Sequence, residues 1–218
     1  MKKNFIITLT AVCIISSSAF AQVKFAVNSG ATYCNYRSTE TVSPDFKLRY
    51  KAGFTGGAQV DIPAGRHFGI QTGLNFLQKG LRQEAEVMGE PYNFRGTLNY
   101  LEMPVNFLYN THHATGNFFA GAGASLAYGL TGKYIMELGD EREVRKFNFG
   151  DEDATSFKRM DAGVNVITGY RFGNGIFASV NYTHGLTQLD KDADPDDDEK
   201  VNSRCFAIRV GYQFGHRK

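Results

Sequence analysis

Residues 158–172 read KRMDAGVNVITGYRF, residues 173–175 read GNG, and residues 176–189 read IFASVNYTHGLTQL. In both arms of this stretch, apolar residues alternate with small or polar ones, and a period of two places the two sets on opposite faces of a β-strand. Gly173-Asn174-Gly175 supplies the residues that a tight turn requires. Both arms exceed the usual strand length of about 5–6 residues, whereas crossing a bilayer takes tilted strands of roughly 9–11 residues. The stretch therefore predicts a hairpin of long strands that crosses a membrane.

The same alternation recurs along the chain and predicts about eight strands in all. The other predicted strands are residues 24–34, 50–62, 67–80, 96–109, 117–134 and 202–214. Their connections alternate between long and short, as in outer-membrane barrels with short periplasmic turns and longer extracellular loops. Residues 81–95 and 135–157 are predicted as charged extracellular connections. The predicted fold class is all-β, a closed up-and-down antiparallel transmembrane β-barrel, and the alternative is a soluble exported β-protein with an ordinary apolar core.

The first residues of the chain predict export. Lys2 and Lys3 precede an apolar run over residues 5–15, and Ala19-Phe20-Ala21 fits a signal-peptide cleavage site. The predicted domains are a signal peptide over residues 1–21 and a barrel domain over residues 22–218, located in the outer membrane. The formal net charge of +2 and the export argue against a nucleic-acid partner. Outer-membrane lipid is the expected partner, and the oligomeric state is left open.

Side chains on the polar face of the predicted strands would point into the barrel. Six of them are charged: Asp61, Lys79, Glu102, Asp161, Arg171 and Arg209. An eight-stranded barrel is filled by side chains, and unpaired charges in such a place are costly. We therefore expect ion pairs that seal the lumen. Cys34 and Cys205 would face each other across the first and last strands, where either a disulfide or two free thiols fit the sequence, because it does not fix the register.

Several short motifs resemble a known family. Gly73-Leu74-Asn75-Phe76, Lys79-Gly80 and Tyr100-Leu101-Glu102-Met103-Pro104 are similar to the GLxF…KG…YLExP core of the outer-membrane β-barrel domain abundant in Bacteroidetes. That group contains the PorT-like proteins and consists of small barrels of the OmpA and OmpX type. The resemblance covers nearly the whole chain after the signal peptide. It implies an outer-membrane location and a barrel, but it does not imply an activity.

No motif predicts a catalytic, cofactor or metal site. Walker loops, zinc spacings and dinucleotide fingerprints are not found in the sequence. The acidic run at residues 190–199 lacks the glycine of an EF-hand loop and is expected to be solvated. His184 has no serine of matching parity to activate. The chain is therefore predicted not to be an enzyme and to need no cofactor.

The residues proposed to contact a partner lie in the longest predicted extracellular connection. They combine charges with aromatic rings, a mixture that suits an interaction surface. These residues are Glu141, Arg142, Arg145, Phe147 and Phe149. The predicted function is that of a structural or binding protein in the envelope, for instance a subunit of an envelope or secretion assembly. The alternatives are a narrow transport pore and a surface lipid-modifying hydrolase that uses His184.

Overall fold

Nine antiparallel strands make up the part of the chain that the computed structural model describes, namely residues 23–37, 47–87, 89–111, 115–149, 158–187 and 202–215. They are β1 (Lys24–Arg37), β2 (Lys47–Pro63), β3 (Phe68–Val87), β4 (Glu90–Asn110), β5 (Gly116–Leu138), β6 (Glu141–Asn148), β7 (Met160–Phe172), β8 (Ile176–Gly185) and β9 (Asn202–Gln213). Eight of them form a ring, because β1 pairs with both β2 and β9 and β5 pairs with both β4 and β7. Strand β6 pairs with β5 outside the ring.

The ring has polar residues inside and apolar residues outside. In β7, Asp161 and Asn165 are buried, whereas Val164 and Val166 are 46% and 59% exposed. From residue 101 onward, the outward residues of β4 are all exposed and apolar: Leu101, Met103, Val105, Phe107 and Tyr109. A soluble barrel has the opposite arrangement, with its apolar residues inside. The distribution is therefore that of a barrel surrounded by lipid, and not that of the soluble alternative.

The short turns lie at one end of the ring. There, β2 leads into β3, β4 into β5, and β7 into β8. Gly175 has a φ of 90° and donates its N–H to the carbonyl of Phe172 at 3.0 Å, which closes the predicted hairpin turn. Aromatic side chains surround this end, as in the interfacial girdles of membrane barrels. Among them are the ring pairs Phe68–Tyr109, Tyr170–Phe172 and Tyr212–Phe214.

At the other end, the structure corrects two predicted connections. Strands β3 and β4 remain paired up to Val87 and Glu90, so that most of residues 81–95 is strand. Strand β5 continues to Leu138 and returns as β6, which occupies a third of the predicted 135–157 connection. Most residues of these extensions are only partly buried, and their backbone pairing does not need the apolar alternation of the membrane-spanning part. We call residues 81–87, 90–98, 132–138 and 141–148 the extracellular sheet.

Some predicted segments lie outside the described residues, and one predicted strand ends earlier in the structure. The predicted signal peptide and the acidic run at 190–199 lie outside the described ranges. The second arm of the hairpin ends at Gly185, although it was predicted to continue to Leu189. No helix within the described ranges is long and apolar enough to cross a membrane.

Candidate functional site

The six charged residues predicted to face the lumen are all buried, and they form three ion pairs. Nearest the short turns, Asp61 is paired with Arg171 at 2.8 Å. The same carboxylate accepts hydrogen bonds from Gln71 at 2.9 Å and Gln213 at 2.6 Å. The Arg171 guanidinium also lies 5.1 Å from the centre of the Phe119 ring. Asp61 thus joins strands β2, β3, β7 and β9 across the barrel.

The other two pairs connect strands on opposite sides of the ring. Arg209 lies 3.2 Å from Glu102, which links β9 to β4. Lys79 lies 2.7 Å from Asp161, which links β3 to β7, and both side chains are at most 2% exposed. Ser203 was not among the predicted residues, but its hydroxyl donates to Asp161 at 2.9 Å. Ser203 lies two residues before the inward-facing Cys205 and therefore on the same side of the strand, and this spacing could have identified it from the sequence.

Amide side chains occupy the space between the ion pairs. Asn28 donates to Gln59 and to Asn75, both at 3.3 Å, and Asn165 donates to Asn106 at 3.3 Å. All five residues are at most 8% exposed. Three acidic and three basic side chains are buried among the described residues, so their formal charges balance. This balance and the amide contacts give the lumen the composition of a packed polar core.

An apolar cluster covers the lumen at the extracellular end. Phe149 is 1% exposed and packs with Tyr36, Leu77, Leu98 and Tyr100. Its ring centre lies 5.4 Å from that of Tyr100. Phe149 fits there because Gly129 has no side chain, and a Cβ atom at that position would lie 2.7 Å from the Phe149 ring. The prediction that Phe149 is a surface residue is therefore wrong, since burial of its ring in this cluster removes it from solvent.

Cys34 and Cys205 lie directly opposite each other in the pairing of β1 with β9. Both side chains are buried on the lumen side, with exposures of 1% and 3%. Their Cα atoms are 4.0 Å apart and their sulfur atoms lie within bonding distance. The register that the sequence left open therefore brings the two residues together at the seam between the first and last strands.

The remaining residues of the predicted interaction loop belong to β6 and are part of the extracellular sheet. Glu141, Arg142 and Arg145 are exposed. Phe147 pairs with Gly132 through the backbone. Arg145 is ion-paired with Glu143, and its hydrogen bond to that carboxylate raises the pKa of the guanidinium. A shallow groove at the tip of this hairpin is lined by residues that include Pro91, Asn93, Glu137, Asp140 and Arg142.

The lumen contains one contact that resembles a catalytic pair. Lys79 Nζ lies 3.3 Å from the hydroxyl of Ser203, and a lysine can activate a serine nucleophile. Here, however, the ammonium is paired with Asp161, Ser203 is fully buried, and the apolar cluster lies above them. His184, the other candidate, is paired in register with Val164 and Arg204. Within the described residues, no group of three or more His, Cys, Asp or Glu could hold a metal ion.

The sequence model of a family described as "Outer membrane protein beta-barrel domain" matches residues 18–191. No curated protein sequence matches the chain. Among solved structures, OprG from Pseudomonas aeruginosa is similar over 88% of this chain and 95% of its own, with 12% identity and a TM-score of 0.49. For Ail from Yersinia pestis the coverages are 88% and 98%, with 14% identity and a TM-score of 0.43. For Neisserial surface protein A they are 87% and 97%, with 12% identity and a TM-score of 0.41. Because the family match spans most of the chain, the protein belongs to the outer membrane protein β-barrel domain family and is located in the outer membrane.

Proposed function

We propose that this chain is a closed barrel with a sealed lumen that acts as a binding protein through its extracellular sheet. In this proposal the chain is exported by a signal peptide over residues 1–21 and is related to the PorT-like barrels of Bacteroidetes. A role as a subunit of an envelope or secretion assembly fits these features. The observation that carries the proposal is that the strands continue well past the apolar band at one end of the ring, whereas the lumen below them is filled.

The filled lumen supports a structural role for the barrel interior and not a role in transport. Three ion pairs bridge it at successive levels, and the pair nearest the extracellular end, Lys79 with Asp161, is at most 2% exposed. The cluster around Phe149 lies above that pair. A solute would have to displace this cluster and then separate buried charges, which is unfavourable unless each charge regains a partner.

The extracellular sheet offers a broad surface with the composition of a binding site. Its inner side carries Tyr92, Phe94 and Tyr134, and the rings of Phe94 and Tyr134 stack at 6.0 Å. Its tip carries the exposed Glu141 and Arg142. Aromatic residues and arginine are enriched in protein interfaces, where rings contribute contact area and guanidinium groups contribute directional hydrogen bonds.

Photo-crosslinking in cells tests this function. A photoreactive residue at Val144, which is 46% exposed on β6, should give a discrete protein or glycan adduct identifiable by mass spectrometry. The same probe at Arg66, in the turn between β2 and β3, is the matched control and should not give that adduct. An adduct pattern that is the same at both positions, or no adduct from Val144, would contradict a binding role of the sheet.

A narrow pore is the second candidate, and one observation favours it. Buried polar atoms of the lumen, including Asp161 Oδ1, Arg209 Nε and Gln213 Oε1, have no hydrogen-bond partner among the described residues. Such atoms could contact water in a hydrated path. Discrete conductance steps of the purified barrel in planar bilayers, enlarged by Phe149→Ala, would support the pore and contradict the sealed lumen.

A further inference from the structure

The outward side of the extracellular sheet is strongly basic. Among the residues that the structure describes, five basic side chains and three acidic ones share this side, and Arg49 and Lys51 of the adjoining β2 raise the number of basic ones to seven. Its orientation follows from the register, because Tyr134 and Leu81 pack on the apolar cluster that covers the lumen. Lys133 and Arg82, which are adjacent to them in sequence, therefore point outward, as the lipid-facing residues do further down. We call this side the basic face.

Three lysines form the edge of the basic face that is nearest to the membrane. Lys133 is directly opposite Lys146 on β6 and opposite Thr97 on β4. Lys51 crosses over Gly80 and donates to the Thr97 hydroxyl and to the carbonyl of Gly96. A Cβ atom at position 80 would lie 2.6 Å from the Lys51 side chain, so this glycine leaves room for the lysine. The ammonium of Lys51 thus lies at Thr97, and Lys133 and Lys146 follow it in register on the next two strands, on the same outward side.

These lysines lack the acidic partners that the arginines above them have. Glu84 is paired with both Arg49 and Arg82 at 2.7 Å, and Glu137 is within 3.8 Å of both Arg95 and Arg142. No carboxylate of the described residues forms an ion pair with Lys51, Lys133 or Lys146. Like charges directly opposite each other destabilise a sheet. The charge of Lys133 also acts on Lys51. An anion between the lysines would relieve this repulsion.

The lysines lie just above the height of the lipid headgroups, within reach of their long side chains. On β4, the apolar outward residues end at Leu101, and Thr97 lies four residues further along the strand. Four residues span about 13 Å along a strand, or about 9 Å along the membrane normal at a tilt of about 45°. The headgroup region is roughly 5–8 Å thick on each side. Lysine stems bend back toward this region while keeping the ammonium in polar surroundings.

We propose that the basic face binds the phosphate groups of an anionic lipid in the outer leaflet, with Lys51, Lys133 and Lys146 holding one phosphate. Phosphate suits the site because its several oxygens can accept hydrogen bonds from neighbouring ammonium groups, and such charge-assisted hydrogen bonds are the strong ones. A lipid is the source because β2 and β5, which carry Lys51 and Lys133, also carry the acyl-facing band directly below, with Phe54 on β2 and Leu126 on β5. This lipid site requires the outer-membrane location and the geometry described above. It does not require the binding function proposed for the extracellular sheet.

Lipid retention by the purified full-length barrel tests the proposal. The protein is reconstituted into phosphatidylcholine with a minor fraction of a phosphate-monoester lipid, extracted in mild detergent, and its retained lipid is quantified by mass spectrometry. The double variant Lys133→Gln/Lys146→Gln should retain roughly twenty-five-fold less phosphate lipid, since each surface lysine contributes on the order of a fivefold effect and the two effects multiply. Lys133→Arg/Lys146→Arg should restore retention, and high salt should reduce it in the wild type.

The control variant Arg66→Gln/Lys158→Gln removes the same charge from exposed positions outside the basic face. It should retain lipid like the wild type. Equal retention by the wild type and the Lys133/Lys146 double variant would overturn the proposal. An equal loss in the control variant would also overturn it, because net charge alone would then explain retention. If millimolar inorganic phosphate displaced all of the retained lipid, the site would bind soluble anions rather than a lipid, and the proposal of a lipid ligand would be overturned.

Discussion

The pair of Lys79 with Asp161 provides the sharpest test of a filled lumen. Lys79→Met removes the ammonium and keeps a side chain of similar length. Asp161 would then retain its hydrogen bond from Ser203 but lose its ion-pair partner at 2.7 Å. Because both side chains are at most 2% exposed, water cannot replace the lysine without rearrangement of the strands.

The expected loss follows from this burial. Removing one member of a buried ion pair costs about 3–5 kcal/mol, since the other charge stays buried without compensation. Replacing both members, as in Lys79→Met/Asp161→Leu, should bring the free energy of unfolding back to within about 1–2 kcal/mol of the wild type, because apolar replacements of a buried pair are often neutral. The exposed pair Arg49–Glu84 serves as the control. Arg49→Met should cost less than about 1 kcal/mol.

Urea unfolding of the barrel in phospholipid vesicles, followed by the gel shift of the folded form, measures these differences. A cost below about 1 kcal/mol for Lys79→Met, together with no coupling to Asp161→Leu, would refute the reasoning. Such a result would mean that water reaches the carboxylate, as it does in a pore.

Three further predictions concern the seam, the strand packing and the cover of the lumen. Non-reducing digestion and mass spectrometry of the native protein should yield one peptide pair joined through Cys34 and Cys205, whereas two alkylated thiols would exclude the disulfide. Gly57→Ala should prevent folding, because its Cβ would overlap the carbonyl of Leu74, while Gly56→Ala should fold, since its nearest neighbour is 3.4 Å away. Phe149→Ala should lower the free energy of unfolding by about 3–5 kcal/mol, and a loss under about 1 kcal/mol would show that the ring does not pack as described.

The sequence was sufficient to predict the ring and the lining of its lumen. Within the membrane, each strand has one side in lipid and one in the lumen, so that residue parity alone assigns Asp61, Glu102 and Arg209 to the interior. Which of these charges pair with each other was not predictable. The partners lie on different strands, and pairing depends on the shear of the ring as well as on parity.

At the extracellular end, simple alternation along the strand no longer predicts which side chains face inward, and the reason is a β-bulge. In β5, Ser125, Ala127 and Gly129 face the lumen, and continued alternation would place Lys133 inside. The register, however, passes from Tyr100↔Gly129 to Asn99↔Thr131, so that one additional residue enters β5 at Leu130. This bulge reverses the alternation and turns Lys133 outward. The contact of Phe149 was not predictable either, because it requires the chain after β6 to fold back over Gly129, twenty residues earlier.

The lengths of the strands show where the chain forms more structure than is required to span the membrane. Strands β7, β8 and β9 contain 13, 10 and 12 residues, close to the roughly 9–11 that a bilayer requires. Strands β3, β4 and β5 contain 20, 21 and 23 residues. About half of each of these strands is therefore unnecessary for crossing the membrane, yet it is ordered at a cost of about 1–2 kcal/mol of backbone entropy per residue. Since the excess is confined to one side of the ring and to its extracellular end, the physical case for function is strongest in the extracellular sheet.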